Sequence, residues 1–249
     1  MPVHTEDNSL KVLAMIFEAR YDEGFRFLDH AGELLLKMRN LNPAWAVTVL
    51  TQRLVSLLNR QHGLSLNVGV EKLDVSTSER LSLSDADRKS KPLGEAAEEF
   101  YHLTLEVLKV PRTLRVGSRF VFLAPSDSLE EADRFMWKAA TSPLLEAVAA
   151  NTGGQATEAQ VAYILDDPES GHRRRVTLYS LVLEQKPEDP PFLGLPGDRG
   201  SGGVVVDIDV YSRPEESHLA KTSLFVQNSY LRARSQASAI LTWMRGRQK

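Results

Sequence analysis

The chain contains no cysteine among its 249 residues, so disulfide bonds, thiolate metal sites and a cysteine nucleophile are excluded. It also has no apolar run near the roughly 20 residues of a membrane-spanning helix, and we expect no membrane partner. Aromatic residues make up only 7% of the chain, but hydrophobic residues at 42% and charged residues at 25% are typical of a globular protein. The polar first residues do not resemble a signal peptide. Together with the missing cysteine, they predict a cytoplasmic protein.

The chain also lacks a strong charge of either sign. Its formal net charge is −3 and its pI is about 6.1. A protein whose main role is to coat nucleic acid is usually basic. Nucleic acid is therefore a less favoured partner, although this composition leaves room for a local basic surface.

Hydrophobic periodicity divides the first half into strands and helices. Residues 10–21 are predicted as a strand, with a helix as the alternative, and residues 25–40 as an amphipathic helix that ends before Pro43. Residues 45–58 are ambiguous between strand and helix, and we favour a strand followed by a turn at 59–63. The remaining predictions are a strand at 64–75, a short strand at 80–84, a loop at 85–92, a helix at 94–110 and a strand at 113–125.

The second half begins with a helix signal. Ser128 and Glu131 form an S-x-x-E capping box in front of an apolar-periodic run. Two strands at 160–165 and 175–184, joined by a polar turn, predict a hairpin. A proline- and glycine-rich loop at 187–203, a strand at 204–211 and a long helix at 217–245 follow.

This order of elements predicts an α+β fold, with largely antiparallel sheet and helices on one face. We expect two ferredoxin-like halves, 9–125 and 126–249, joined into one compact unit that ends in the long helix. No residue-level repeat links the halves, so the duplication is inferred from element order alone.

Three stretches carry a resemblance to known proteins: Glu98-Glu99-Phe100, Leu114-Arg115-Val116-Gly117-Ser118-Arg119-Phe120 and Val206-Asp207-Ile208-Asp209. With the element order, they resemble a sporadically distributed family of uncharacterised prokaryotic proteins of about this length. The resemblance covers nearly the whole chain. It departs after Phe120, where Val121-Phe122 replaces tyrosine- and asparagine-type residues. It implies a fold of duplicated β-α-β halves and brings no known activity.

Asp207 and Asp209 are the sharpest chemical feature. Residues i and i+2 of a strand point to the same face, so the pair is a candidate Mg²⁺ ligand set for phosphoryl chemistry. The spacing from Gly200-Ser201 is too short for a nucleotidyltransferase site, and no third strand carboxylate follows. We therefore favour a structural role for the pair, with no metal and no cofactor.

Arg115 and Arg119 lie four residues apart on one predicted strand and share a face. If that strand neighbours the Asp207 strand, the arginines are expected to form cross-strand ion pairs with the aspartates. The functional alternative is a sheet face that binds an anion.

A second basic cluster, Arg173, Arg174 and Arg175, is predicted at a hairpin tip. It is read as a solvated turn, with contact to nucleic acid or an acidic partner as the alternative. The other familiar signatures are missing: the chain has no H-E-x-x-H, no G-x-S-x-G and no G-x-x-x-x-G-K-[ST]. The glycine-rich run at 194–203 leads into a strand rather than a helix, which favours a surface loop over a phosphate site.

The predicted final helix carries more apolar side chains than a single buried face requires. At 1.5 Å per residue it would be roughly 40 Å long, and its charges after residue 220 are all positive. We therefore predict that part of it meets a protein partner or a second copy. The candidate interface residues are Phe225, Tyr230, Leu241 and Trp243.

These observations favour a non-enzymatic binding or assembly component of a multi-protein prokaryotic system. The first alternative is a metal-dependent enzyme acting on nucleotides or nucleic acid through Asp207 and Asp209. The second is an RNA-binding module that uses Arg173–Arg175 and the basic final helix.

Overall fold

The computed structural model describes residues 10–22, 26–140, 151, 160–167, 171–182, 202–212 and 221–246. Its strands are β1 (Lys11–Tyr21), β2 (Trp45–Leu50), β3 (Leu54–Asn59), β4 (Leu64–Gly69), β5 (Lys72–Thr77), β6 (Leu81–Ser82), β7 (Thr113–Ser126), β8 (Val161–Asp166), β9 (Arg173–Val182) and β10 (Gly202–Tyr211). Its helices with defined bounds are α1 (Arg26–Leu41), α2 (Leu83–Leu108), α3 (Leu129–Ala140) and α4 (Thr222–Gly246).

All ten strands belong to one antiparallel sheet, which confirms the predicted α+β class. Nine strands lie in the order β2-β3-β4-β5-β1-β7-β10-β9-β8, and β6 pairs with the start of β1. Strand β7 lies near the middle, where it pairs with β1 on one side and β10 on the other. Strands from both halves of the sequence therefore share a single sheet.

Alternation along the strands separates the two faces of the sheet. In β1, Met15, Phe17 and Ala19 are fully buried, whereas Glu18 and Arg20, which alternate with them, are not. Buried residues of all four helices belong to the same hydrophobic core as these strand residues. The described helices thus cover one face. The opposite face carries the charged side chains of the candidate site and, further along β7 and β10, a separate buried cluster of Val121, Leu123 and Val205. We call the charged part of this face the open face. Its side chains around the candidate site include Ile16, Glu18 and Arg20 of β1, Arg115, Gly117 and Arg119 of β7, Asp207, Asp209 and Tyr211 of β10, and Arg175, Thr177 and Tyr179 of β9.

Helix α2 is much longer than predicted. It begins after Ser82, whose Oγ accepts a hydrogen bond from the backbone N–H of Asp85 at 3.2 Å, and it runs through Pro92. The loop predicted at 85–92 was therefore wrong. A proline inside a helix removes one hydrogen bond, but burial of the helix face on both sides of it outweighs that loss. The buried residues flanking Pro92 are Leu83, Ala86, Leu93 and Ala97.

Two segments that were predicted as single strands each form a hairpin. Residues 45–58 contain β2 and β3, joined by a turn in which Thr51 Oγ1 accepts the backbone N–H groups of Arg53 and Leu54. Residues 64–75 fall in β4 and β5, which pair with each other. The strand interpretation was correct, but it missed these internal turns. The turn predicted at 59–63 is confirmed, and Gly63 has a positive φ of 59° there.

The elements of the second half follow the predictions more closely. β8 and β9 form the expected antiparallel hairpin, and Ser128 Oγ accepts the N–H of Glu131 at 3.2 Å at the start of α3. The loop predicted at 187–203 lies outside the described residues up to 201, and residues 202 and 203 belong to β10. The predicted beginning of the last helix, 217–220, also lies outside them.

The structure does not confirm the two predicted ferredoxin-like halves. In the second half β10, β9 and β8 follow one another in the sheet, and β10 is the neighbour of β7. The predicted boundary between residues 125 and 126 falls at the very end of β7, a strand that pairs with strands of both halves. The domain division therefore stays a prediction.

Helix α4 packs closely along α2. A Cβ atom added to Gly94 of α2 would lie 2.9 Å from the backbone oxygen of Ser223, so glycine is required for this approach. The backbone N–H of Ser223 donates to Glu98 Oε2 at 2.8 Å, which satisfies one of the free donors at the start of α4. Among the described residues, no helix is both long enough and apolar enough to cross a membrane.

Candidate functional site

The open face contains a charged depression over the middle strands, with a volume of about 820 Å³. A volume of this order is typical of binding sites. Its side chains come from β1, β7, β10, β9 and β8, because alternate residues of neighbouring strands point to the same side. The predicted pairs on β7 and β10 are brought together here.

Arg119 and Asp207 form a bidentate ion pair between β7 and β10. Arg119 Nε donates to Asp207 Oδ1 at 2.9 Å, and Nη2 donates to Oδ2 at 2.6 Å. The side chain of Asp207 is only 10% exposed, while that of Arg119 is 50% exposed. Hydrogen bonding to Asp207 raises the pKa of Arg119. The prediction of a cross-strand pair at these positions is confirmed.

Arg115 joins two carboxylates from two different strands. Its Nη2 donates to Asp209 Oδ2, and its Nη1 donates to Glu18 Oε1 of β1 at 3.1 Å. Glu18 also accepts from Arg20 Nε at 2.7 Å. The predicted pairing of Arg115 with the β10 aspartates is thus observed, and Glu18 is an additional partner.

Glu18 was missed by the sequence reasoning. The signal was available in the β1 sequence Phe17-Glu18-Ala19-Arg20-Tyr21, in which charged and apolar residues alternate. This alternation places Glu18 and Arg20 on the face opposite the core. Their contact with β7 depends on strand order, which the sequence pattern does not give.

Gly117 lies between the two arginines and makes room for Tyr211. A Cβ atom at Gly117 would lie 2.8 Å from both the Tyr211 Cβ and the Val210 oxygen. The guanidinium of Arg115 lies over the Tyr211 ring, 4.6 Å from its centroid, in a cation–π contact. The R-x-G-x-R pattern therefore has a structural reason: two arginines pair with carboxylates, and the glycine between them admits an aromatic ring.

Burial affects the acid–base behaviour of this surface. It raises the pKa of the Asp209 carboxyl above its ordinary value, although the charge of Arg115 acts in the opposite direction. Burial also raises the pKa of Tyr179, with a smaller contribution from the nearby Asp207 charge. Burial therefore disfavours the charged forms of Asp209 and Tyr179 on this face.

The three consecutive arginines of β9 do not act as one cluster. Arg173 pairs with Asp166 at 3.0 Å, and Arg174 lies 3.7 Å from Asp167. Only Arg175 lines the concave part of the open face. The strand alternation splits the run, which weakens the prediction of a continuous basic tip for nucleic acid.

The carboxylates of the site are occupied by guanidinium groups. The described residues contain no group of three or more histidine, aspartate or glutamate side chains arranged to hold a metal ion. Asp207 uses both oxygens for Arg119. In this geometry, the arginines take the positions that a cation would need.

The candidate interface on the last helix needs correction. Phe225, Tyr230 and Leu241 are 9%, 1% and 0% exposed, because they face the core of this chain. The Tyr230 ring packs on Phe120 with centroids 5.7 Å apart. Of the four predicted residues, only Trp243 is exposed, at 53%. The helical spacing identified the apolar side chains correctly. Three of the four are buried because this helix packs on the sheet and the other helices of the same chain.

No protein-family model matches this chain, and no curated protein matches it in sequence. The resemblance to a family of prokaryotic proteins therefore stays a prediction. The interpretation of the site depends on its geometry alone.

Proposed function

We propose that this protein is a non-enzymatic binding component of a multi-protein prokaryotic assembly and that the open face is its binding surface. The observation that carries the proposal is the pairing of Asp207 and Asp209 with Arg119 and Arg115. This pairing converts an apparent acidic site into a preformed surface of alternating charges.

A catalytic or metal-binding carboxylate needs oxygens that can reach a substrate or an ion. Both oxygens of Asp207 instead accept hydrogen bonds from a guanidinium that comes from the neighbouring strand. Charge-assisted bidentate pairs are among the strong hydrogen bonds of proteins. Breaking this pair would leave a nearly buried carboxylate to be satisfied by something else, which argues against a catalytic role.

The same pairing favours binding. Arg115 is fixed by Asp209, Glu18 and the Tyr211 ring, so it loses little side-chain freedom when a partner arrives. A preorganised surface loses less conformational entropy on association than a flexible one. Arginine and tyrosine are also enriched where partners bind tightly.

The proposal is tested by placing a photo-reactive amino acid at position 20 of the open face in the native host. The matched position is 39, an exposed arginine in the last turn of α1 on the helical side. We expect a defined protein adduct from position 20 and none from position 39. Adducts of equal yield from both positions, or none from position 20, would contradict the proposal.

The enzyme alternative is tested by calorimetric titration with Mg²⁺. We expect no saturable binding to the wild-type protein and no difference from the D207N/D209N double variant. Binding that is present in the wild type and lost in the variant would favour a metal-dependent enzyme.

A further inference from the structure

The charges lining the concave part of the open face do not balance. The lining residues include three carboxylates and four guanidinium groups, so one positive charge is in excess. The whole chain, in contrast, carries a net charge of −3. The charged lining residues are Glu18, Asp207, Asp209, Arg20, Arg115, Arg119 and Arg175.

The excess charge belongs to Arg175. Its Cα lies directly opposite Asp209, but Asp209 gives its close contact to Arg115 from the other side. Arg175 is exposed, and it has no ion-pair partner among the residues that the structure describes. Its strand neighbours Arg173 and Arg174, in contrast, each have an aspartate.

One apolar and one aromatic side chain lie near Arg175 on the same face. Ile164 of β8 lies directly opposite Arg175 and is 64% exposed. Tyr179 lies four residues along the same strand on the same face. An arginine beside an exposed aliphatic and an aromatic side chain is the composition found at the centres of protein interfaces.

The surrounding carboxylates restrict what can bind. A nucleic-acid backbone carries a charge every few ångströms, so a strand lying across this surface would bring phosphates close to Asp207, Asp209 or Glu18. A single carboxylate flanked by apolar side chains would instead meet Arg175 and Ile164 without crossing the acidic positions. The local pattern favours a peptide over a polyanion.

We infer that the open face binds an acidic peptide segment of a partner protein, with a partner carboxylate on Arg175 and an apolar partner side chain against Ile164. This inference rests on the proposed binding function. Arg119, whose side chain is 50% exposed, lies two strands away, opposite the same Asp209, and supplies a second positive group within the site.

The test uses a fluorescein-labelled peptide containing Leu-Glu-Glu-Leu and a matched peptide containing Leu-Gln-Gln-Leu. Binding is measured by fluorescence anisotropy against the full chain. We expect the acidic peptide to bind the wild type and the neutral peptide to bind about tenfold or more weakly, as for loss of a charge-assisted hydrogen bond. Equal affinities, or no binding of the acidic peptide, would overturn the inference.

Variants locate the site. R175Q is expected to lower the affinity for the acidic peptide by about tenfold or more. I164S is expected to lower it by several-fold. R60Q removes the same charge from an exposed turn between β3 and β4 and is expected to leave the affinity unchanged. Equal losses of affinity in R175Q and R60Q would show that net charge alone drives binding, and would overturn the assignment of the site to Arg175.

The last experiment replaces the peptide with fluorescent single-stranded poly-U RNA in the same binding assay. RNA binding that R175Q abolishes would replace the peptide with nucleic acid as the ligand. An adduct at position 20 together with no binding of the acidic peptide would leave the proposed function intact and refute only this inference.

Discussion

A single guanidinium, that of Arg115, connects three strands of the sheet. It donates to Glu18 on β1 and Asp209 on β10, and it stacks on Tyr211 of the same strand as Asp209. Its side chain is 25% exposed, so these contacts are partly shielded from solvent screening. The charged contacts of this one side chain therefore also hold β1, β7 and β10, which are distant in sequence, next to one another.

Asp209 yields a prediction about pH. Burial raises its pKa in the folded state, so the folded protein holds this proton more tightly than the unfolded chain. The contribution of Asp209 to stability is then expected to fall as pH rises from about 4, the ordinary aspartate value, through the raised folded value. In D209N this fall is absent. The difference in unfolding free energy, variant minus wild type, should therefore increase with pH in urea titrations between about pH 3.5 and 7.

R115Q serves as the companion variant. The charge of Arg115 lowers the pKa of Asp209, so its removal should widen the pH range over which stability falls. If the difference between D209N and wild type instead decreases with rising pH, the charge of Asp209 is net stabilising and the effect of burial has been outweighed.

At this scale the sequence predicted half of the site. The two-residue period was enough to place Arg115 with Arg119 and Asp207 with Asp209 on common faces. Glu18 and Tyr211 could not be assigned to the site, because their contacts depend on which strands are neighbours. Such neighbours are separated by many residues along the chain.

Among the elements, α2 shows why local signals misled. The polar residues 85–92 end in a proline, which is usual for a loop. The helix forms because Leu83 and Ala86 before the proline share a buried side with Leu93 and Ala97 after it. The buried side chains lie on both sides of Pro92, whereas the proline disfavours the helix at only one position. Tertiary burial therefore decided the outcome.

The close approach of α2 and α4 gives the second prediction. Alanine normally stabilises a helix relative to glycine by about 0.5–1 kcal/mol. At Gly94 the new Cβ would lie 2.9 Å from a backbone oxygen of Ser223, and we expect G94A to lower the unfolding free energy by about 1–3 kcal/mol.

G32A in α1 is the matched control, because nothing lies within 4 Å of a Cβ at that position. It should raise the unfolding free energy by about 0.5–1 kcal/mol. Both values are measured by urea denaturation. Stabilisation by G94A would mean that the two helices do not pack as closely as described.

For the whole molecule, the shared strand β7 predicts one cooperative unfolding transition. The sequence suggested two halves, but β7 pairs with β1 and with β10. Loss of either half would expose one edge of the strand that it leaves behind, β7 or β10.

Tryptophans in each half report on this cooperativity. Trp45 is buried on β2, and Trp137 packs against the core from α3. One variant, W137F/W243F, keeps only the first, and W45F/W243F keeps only the second. In each variant, the fluorescence and far-ultraviolet dichroism midpoints in urea should coincide. A fluorescence transition that precedes the dichroism in the second variant would indicate separate units.

The position of β7 also has a kinetic consequence. Its contacts join residues far apart along the chain: 97 residues separate Arg115 from Glu18, and 88 separate Arg119 from Asp207. Large chain loops must close before either pairing contributes stability. Sheets of this kind fold in milliseconds to seconds rather than microseconds. The rate of folding is therefore expected to depend on how quickly these remote segments meet to form the middle of the sheet.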